Sequence, residues 1–366
     1  MSTNVQIGIV ARLFDSPGWL RGTSYDLALI FGTFLLALAS GLIVVWQPWL
    51  FFPVLLADLW LLGYHHVIAT FTRLSFDRES LKENRFLVFY LPFLVLAATV
   101  TLAITFGAWM IASIYLYWQW FHYSRQSWGI SRVYERKSGG LVDDNPLFSQ
   151  LCFYLVPIYG ILYRSWQAPE TFILNEVRVI PMPELAVDIV GIAALISILA
   201  WLWTRLQAWR QGRLAIAHSA FMASHIAVFL IGYRLIEDIT YGWVVLNVWH
   251  NAQYLLFVWL FNANKFKDGI DEKSPFLSGI SQSNAKWRYF LSCFALSTVI
   301  YLVLDATSSA IESSAWWSTD YFNLAIAAPV TVIIFQTINF HHYIVDSRIW
   351  KVRSKPIQET LGLSKS

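Results

Sequence analysis

The chain has 366 residues, of which 57% are hydrophobic and only 13% charged, with a mean hydropathy of +0.51. Soluble domains carry roughly 25% charged residues, so this composition excludes a soluble globular protein and points to one integral membrane domain over residues 1–366. The net charge of +3 is dispersed along the chain and gives no footprint for nucleic acid.

Apolar runs predict an all-α, polytopic membrane bundle of about ten spans, at 26–46, 50–73, 86–106, 108–131, 147–164, 185–205, 215–236, 243–262, 287–304 and 322–346. Most are near the ~20 residues a helix needs to cross. Residues 1–25 form a polar N-terminal segment in which no cleaved signal peptide is expected, and 347–366 form a C-terminal tail. Phe106-Gly107 alone separates the third and fourth runs and demands a tight hairpin. Pro157 predicts a tilted or broken fifth span. Trp46, Trp49, Trp118, Trp120, Trp316 and Trp317 stand at the ends of runs, as interfacial anchors do. Cys152 and Cys293 lie inside apolar runs and read as small core residues, not as a disulfide or thiolate site.

Basic residues test the span count independently. With the N-terminus in the cytoplasm and every run crossing, 23 of the 26 Lys and Arg fall on the cytoplasmic side. Arg73, Arg78, Arg132 and Arg348 are among them; Arg164, Arg178 and Arg234 alone fall outside. This obeys the positive-inside rule and suits a bacterial inner membrane with both termini cytoplasmic.

All eight histidines fall in or within a turn of these apolar runs. An ionisable side chain is costly in hydrocarbon and needs a partner or a task, and imidazole is the commonest protein ligand for transition metals. His65 and His66, His122, His250, and His341 and His342 lie on even-numbered spans, most of them in the cytoplasmic half, and are the candidate metal ligands. Adjacent histidines point about 100° apart on a helix, so one of each pair supports rather than binds. His342 and Asp346 are four apart on one face; Gln126 follows His122 by four; Gln253 and Tyr254 follow His250. Asp58 precedes His65 by seven, two turns away on a similar face. Asp58, Gln126, Gln253, Tyr254 and Asp346 are therefore the expected partners that orient ligands, Asp346 being a possible ligand itself. His218 and His225 read as helix–helix hydrogen-bonding residues.

The segments Tyr64-His65-His66, His122-Tyr123-Ser124-Arg125-Gln126, His250-Asn251-Ala252-Gln253-Tyr254 and His341-His342-Tyr343-Ile344-Val345-Asp346 resemble, in order and placement, the histidine stations of the Brp/Blh-type membrane β-carotene dioxygenases. The pattern His-Asn-x-Gln-Tyr with a C-terminal His-x-x-x-Asp-x-x-Ile-Trp resembles still more closely a set of bacterial multi-histidine membrane proteins without an assigned activity. The dioxygenase resemblance implies an all-helical membrane fold, a histidine-bound non-haem iron, and O2-dependent cleavage of a carotenoid. The chain departs from it in three ways. No Pro-His-Gly opens the first station, no second histidine follows His250, and the spans are more numerous.

Three function classes follow. The first is a non-haem iron oxygenase or related oxidoreductase acting on a membrane lipid or isoprenoid with O2, drawing electrons from the substrate or a separate donor. The aromatic stretch Tyr115, Tyr117, Trp118, Trp120 and Phe121 would line its substrate site. The second is an electron carrier with b-type haem held between histidines. The third is a proton- or ion-coupled transporter using the histidines with Asp58. No nucleotide-binding or nucleophile motif supports any other enzyme class.

Overall fold

The computed structural model describes residues 18–138, 146–314 and 328–363. Trp316, Trp317, most of the N-terminal segment and the opening of the expected tenth span, 322–327, lie outside the described residues. Each of the ten apolar runs contains a helix: α1 Thr23–Trp46, α2 Pro48–Ser75, α3 Leu91–Phe106, α4 Ala108–Lys137, α5 Pro146–Gln167, α6 Glu184–Arg210, α7 Ile216–Leu235, α8 Ile239–Lys265, α9 Ser283–Glu312 and α10 Val330–Ile349.

The expected count of ten spans is nonetheless corrected. Among the described residues, seven of these helices are long and apolar enough to cross a membrane on their own. The other three fail for different reasons. Helix α3 has 16 residues, which at ~1.5 Å per residue covers less than a ~30 Å hydrocarbon core. Helices α4 and α10 are long enough but polar, because they carry Gln119, His122, Ser124 and Ser131, and His341, His342 and Asp346, inward.

Helix α8 is the axis. In its most apolar stretch 94% of the residues are buried, against 17% in α9 and 22% in α6. Helices α1, α2 and α7 pack on α8, α4 packs on α7 and α10, and α5 pairs with α6. Helices α2, α4, α8 and α10 all end on one side of the molecule. There Lys265 pairs with Asp77, Arg73 donates to the Ile349 carbonyl at 3.0 Å, and Arg136 donates to the Val352 carbonyl at 3.2 Å. Gly18 sits against Ser138 at this same end. The first and last described residues therefore share one face, here called the terminal end. The opposite end carries a two-stranded hairpin, Thr171–Phe172 with Asn175–Glu176, whose turn residues Ile173 and Leu174 have φ of 45° and 63°. Two positive φ values are what a type I′ hairpin requires, and neither residue is glycine.

Local devices keep the bundle regular. The turn between α3 and α4 is made by Gly107 at φ 87°, a conformation that L side chains rarely adopt. Where α7 crosses α8, a Cβ on Gly242 would lie 1.9 Å from the Gly232 carbonyl oxygen, so only glycine allows that approach. Helix α5 runs through Pro157 without the expected break. Proline removes the N–H that would bond the carbonyl four residues earlier, that of Phe153. His225 of α7 stands in, with Nε2 at 2.9 Å from that oxygen, while its Nδ1 accepts from Ser127 at 3.0 Å. Arg164, fully buried at the hairpin end, donates to the carbonyls of Gly232, Ile236 and Glu237 and so closes a π-helical turn, Ile231–Leu235, at the end of α7. Cys152 and Cys293 are buried free thiols.

Candidate metal centre

Four side chains from three helices meet beside α8: His66 from α2, His122 from α4, and His342 with Asp346 from α10. Each is at most 6% exposed. One donor atom from each lies within 4.8 Å of all the others. The Nε2 atoms of His66 and His342 are 2.7 Å apart, and Asp346 Oδ2 is 3.6 Å from His342 Nε2.

Hydrogen-bond accounting shows what this group lacks. Asp346 Oδ1 accepts from Tyr254 at 2.8 Å and from Thr70 at 3.2 Å, whereas Oδ2 meets no partner. His122 Nε2 also meets none. A buried polar atom without a partner costs about 1–3 kcal/mol, and two such atoms side by side need an explanation. A cation supplies one. Thr70 Oγ1 lies 3.1 Å from His342 Nδ1. With the proton on Nδ1, the Nε2 lone pair faces the group, the tautomer a metal ligand needs. Two approaching Nε2 lone pairs repel unless a proton or a metal lies between them, and the donor set of three imidazoles and one carboxylate fits an iron or zinc ion.

Stacking sets the ring orientations. His66 lies on Tyr254 with centroids 4.0 Å apart, and His122 on Tyr343 at 4.2 Å. Tyr254 is held in turn by Trp350, whose Nε1 donates to its hydroxyl at 3.0 Å.

The remaining sequence candidates fall elsewhere. His250 stacks on Tyr123 at 4.1 Å with its ring centroid 4.8 Å from that of His66 and 4.9 Å from that of His122, against the group but outside the four. His65 turns away to Phe290, and His341 stacks on Phe71 and bonds the Leu87 carbonyl at 2.7 Å. In each adjacent pair the ~100° step sends the other ring out of the centre. Gln126 donates to the His250 carbonyl at 3.2 Å and so ties α4 to α8 without touching a histidine ring. Gln253 is fully buried with neither amide atom paired, so it orients no ligand.

Asp58 does not share the face of His65 as expected. Residues Leu59–Gly63 form a π-helical turn, equivalent to one inserted residue, which advances the following helix by one position. Asp58 therefore aligns with the His66 side and accepts from Asn247 at 2.5 Å and Asn251 at 3.5 Å, both on α8. Asn247 accepts from Tyr123 at 2.5 Å, so this second network ends at the ring beneath His250. The sequence reading missed Thr70, Asn247 and Tyr343. For two of them a signal existed: Thr70 follows His66 by four and Asn247 precedes His250 by three, both same-face spacings.

Two cavities flank the group. One, of about 180 Å³, reaches from His66, His250 and His342 to Phe172 and Asn175 in the hairpin. The other, of about 220 Å³, touches His122, Tyr254 and Asp346 and is walled by Trp118, Phe121, Phe257 and Trp350 toward the terminal end. Trp118 is thus a cavity wall stacked on Phe340 at 5.3 Å, and Tyr117 bonds Ser165 at 2.8 Å.

No protein-family model matches the chain, and neither a curated protein nor a solved structure matches it. The class defined by fold and site is an all-α protein with candidate membrane spans and a buried His/Asp group able to hold a metal ion.

Proposed function

We propose that the protein is a membrane-embedded, non-haem iron oxygenase or related oxidoreductase acting on a lipid or isoprenoid with O2. The observation that carries this is the pair of unpartnered buried donor atoms, His122 Nε2 and Asp346 Oδ2, set beside His66 and His342 between two cavities. A mixed imidazole–carboxylate set with open positions suits iron that activates oxygen. Bound there, the metal would supply the redox chemistry.

The chain's own residues do the rest. Thr70 and Tyr254 hold Asp346 by one oxygen, and Thr70 fixes the His342 tautomer. The aromatic walls of the cavity beside His122 exclude water and offer an apolar chain a place against the ligands. In a dioxygenase both oxygen atoms enter the substrate and no donor is needed. In a mono-oxygenase one leaves as water, which takes two electrons and two protons from a separate donor. Both termini would face the cytoplasm, consistent with the distribution of basic residues and with the shared terminal end.

Haem loses ground as an alternative. The rings of His66 and His122 are 6.4 Å apart, but the His342 ring stands 4.6 Å and 5.0 Å from them, where a porphyrin would need to lie. Cavities on both sides of the histidines favour ion-coupled transport as a second reading.

Elemental analysis of protein purified from iron-supplied cells tests the proposal. About one iron per chain, with O2 uptake and altered lipids in a host expressing it, supports an oxygenase. Loss of pigment with aldehyde formation in a carotenoid-producing host supports the narrowest form, and unchanged carotenoids remove that substrate alone. A metal-free protein that moves protons or ions across vesicles would overturn the oxygenase in favour of transport.

A further inference from the structure

We infer that the groove between α1, α2, α8 and α9 at the terminal end binds an anionic phospholipid, with the phosphate at its mouth and the acyl chains along its floor. The groove has a volume of about 1080 Å³. His65, expected at the metal, lines it instead.

Charge sets the ligand class. Arg21 and Lys286 stand at the mouth, Arg21 over the Trp259 ring at 4.6 Å and Lys286 over the Trp287 ring at 5.9 Å. Among the described residues no Asp or Glu lines the groove, and no carboxylate pairs with either cation. The first turns of α1 and α9 open at the same mouth. The Asp26 carboxylate already takes the backbone N–H groups of Leu20, Arg21 and Gly22 before α1, so of the two N-termini only that of α9 adds partial positive charge. Independently, His65 is 4% exposed and its Nε2 meets no partner, which leaves an unpartnered polar atom at the groove wall.

Length sets the tails. The lining runs from Arg21 to Leu36 along α1, roughly 20 Å at ~1.5 Å per residue. That exceeds half of a ~30 Å hydrocarbon core, enough for acyl chains of one leaflet. A free phosphate would not use an apolar floor of that length, and an uncharged lipid would not use two cations. With the terminal end cytoplasmic, the groove faces the leaflet that is richer in anionic lipid.

Native mass spectrometry of the full-length protein after exchange with phosphatidylglycerol and phosphatidylcholine of identical chains tests this. The expected result is retention of phosphatidylglycerol over phosphatidylcholine. The Arg21→Gln/Lys286→Gln variant should lower that preference by roughly twenty-five-fold, at about five-fold per cation. Gly32→Phe, which fills the floor, should lower retention of both lipids while the circular dichroism spectrum stays that of the wild type. Equal retention of the two lipids, a preference unchanged in the double variant, retention unchanged in Gly32→Phe, or displacement of phosphatidylglycerol by inorganic phosphate would each overturn the proposal.

Discussion

The molecule buries two sets of histidines, and they are built on opposite logic. Around α7, His225 has both ring nitrogens engaged, by Ser127 and by the carbonyl that Pro157 leaves open, while His218 engages Nε2 with Ser131 at 3.0 Å and leaves Nδ1 without a partner, outside the His/Asp group. Around α8, His122 and Asp346 each keep an atom with no partner, and His66 faces His342 nitrogen to nitrogen. Burial is the same in both places, and so is residue type. What separates them is convergence: only beside α8 do three histidines and a carboxylate bring donor atoms within 4.8 Å of one another. His225 is closed and holds helices together; the group beside α8 gathers several donor atoms at one point and could hold a metal ion.

The largest effect that can break this contrast is loss of metal. Replacing His66, His122, His342 or Asp346 with alanine should abolish stoichiometric metal in the purified protein, whereas alanine at His218 or His225 should leave it intact. Equal metal in both series, read by elemental analysis, would erase the distinction. Next comes the layer that holds the ligands. Thr70→Val and Tyr254→Phe each remove a donor to Asp346 Oδ1 and should weaken metal affinity by about 10–100-fold, measured by competition with a chelator.

A smaller effect sharpens the structural side. His225→Ala should destabilise the protein by about 1–3 kcal/mol by stranding the Phe153 carbonyl. Pro157→Ala restores an N–H four residues on. In that background the cost of His225→Ala should fall by about 1 kcal/mol, a coupling visible in a double-mutant cycle of thermal stability. The smallest change is expected at His65 and His341. Alanine there should retain metal within about two-fold, as the ~100° step between neighbours on a helix implies. Loss of metal at His65 but not at His66 would reverse the assignment of that pair.

Much of this was legible in the sequence because membrane burial makes polar residues conspicuous. The apolar runs located each of the ten long helices but not the short ones at Arg78–Glu83, Pro275–Ile280 and Lys355–Thr360, and the four-residue spacing of His342 and Asp346 placed both on one face. The number of spans was overread for two physical reasons: α3 is too short to cross alone, and α4 and α10 gave up apolar character to carry the polar interior. The partner of Asp58 was illegible because a π-helical turn leaves no periodic trace in Leu59–Gly63, a run apolar on every side. Nor does spacing say which of two neighbouring histidines turns inward. That depends on how α2 is rotated against α8, which is set by packing contacts far apart in the chain. Thr70 looks like an ordinary residue of an apolar helix until α10 brings Asp346 to it.

The order of the ligands along the chain has a consequence for biogenesis. His66 and His122 are synthesised early, whereas His342 and Asp346 arrive together on α10, whose described residues are less apolar than the seven candidate spans. Helix α10 packs against α2, α3 and α4, and until it does half of the donor set is missing. Were the centre to take up a metal as proposed, its loading would report a chain synthesised through α10. A ribosome-stalled or C-terminally clipped product would keep most of its hydrophobic helices and still be unable to hold the ion.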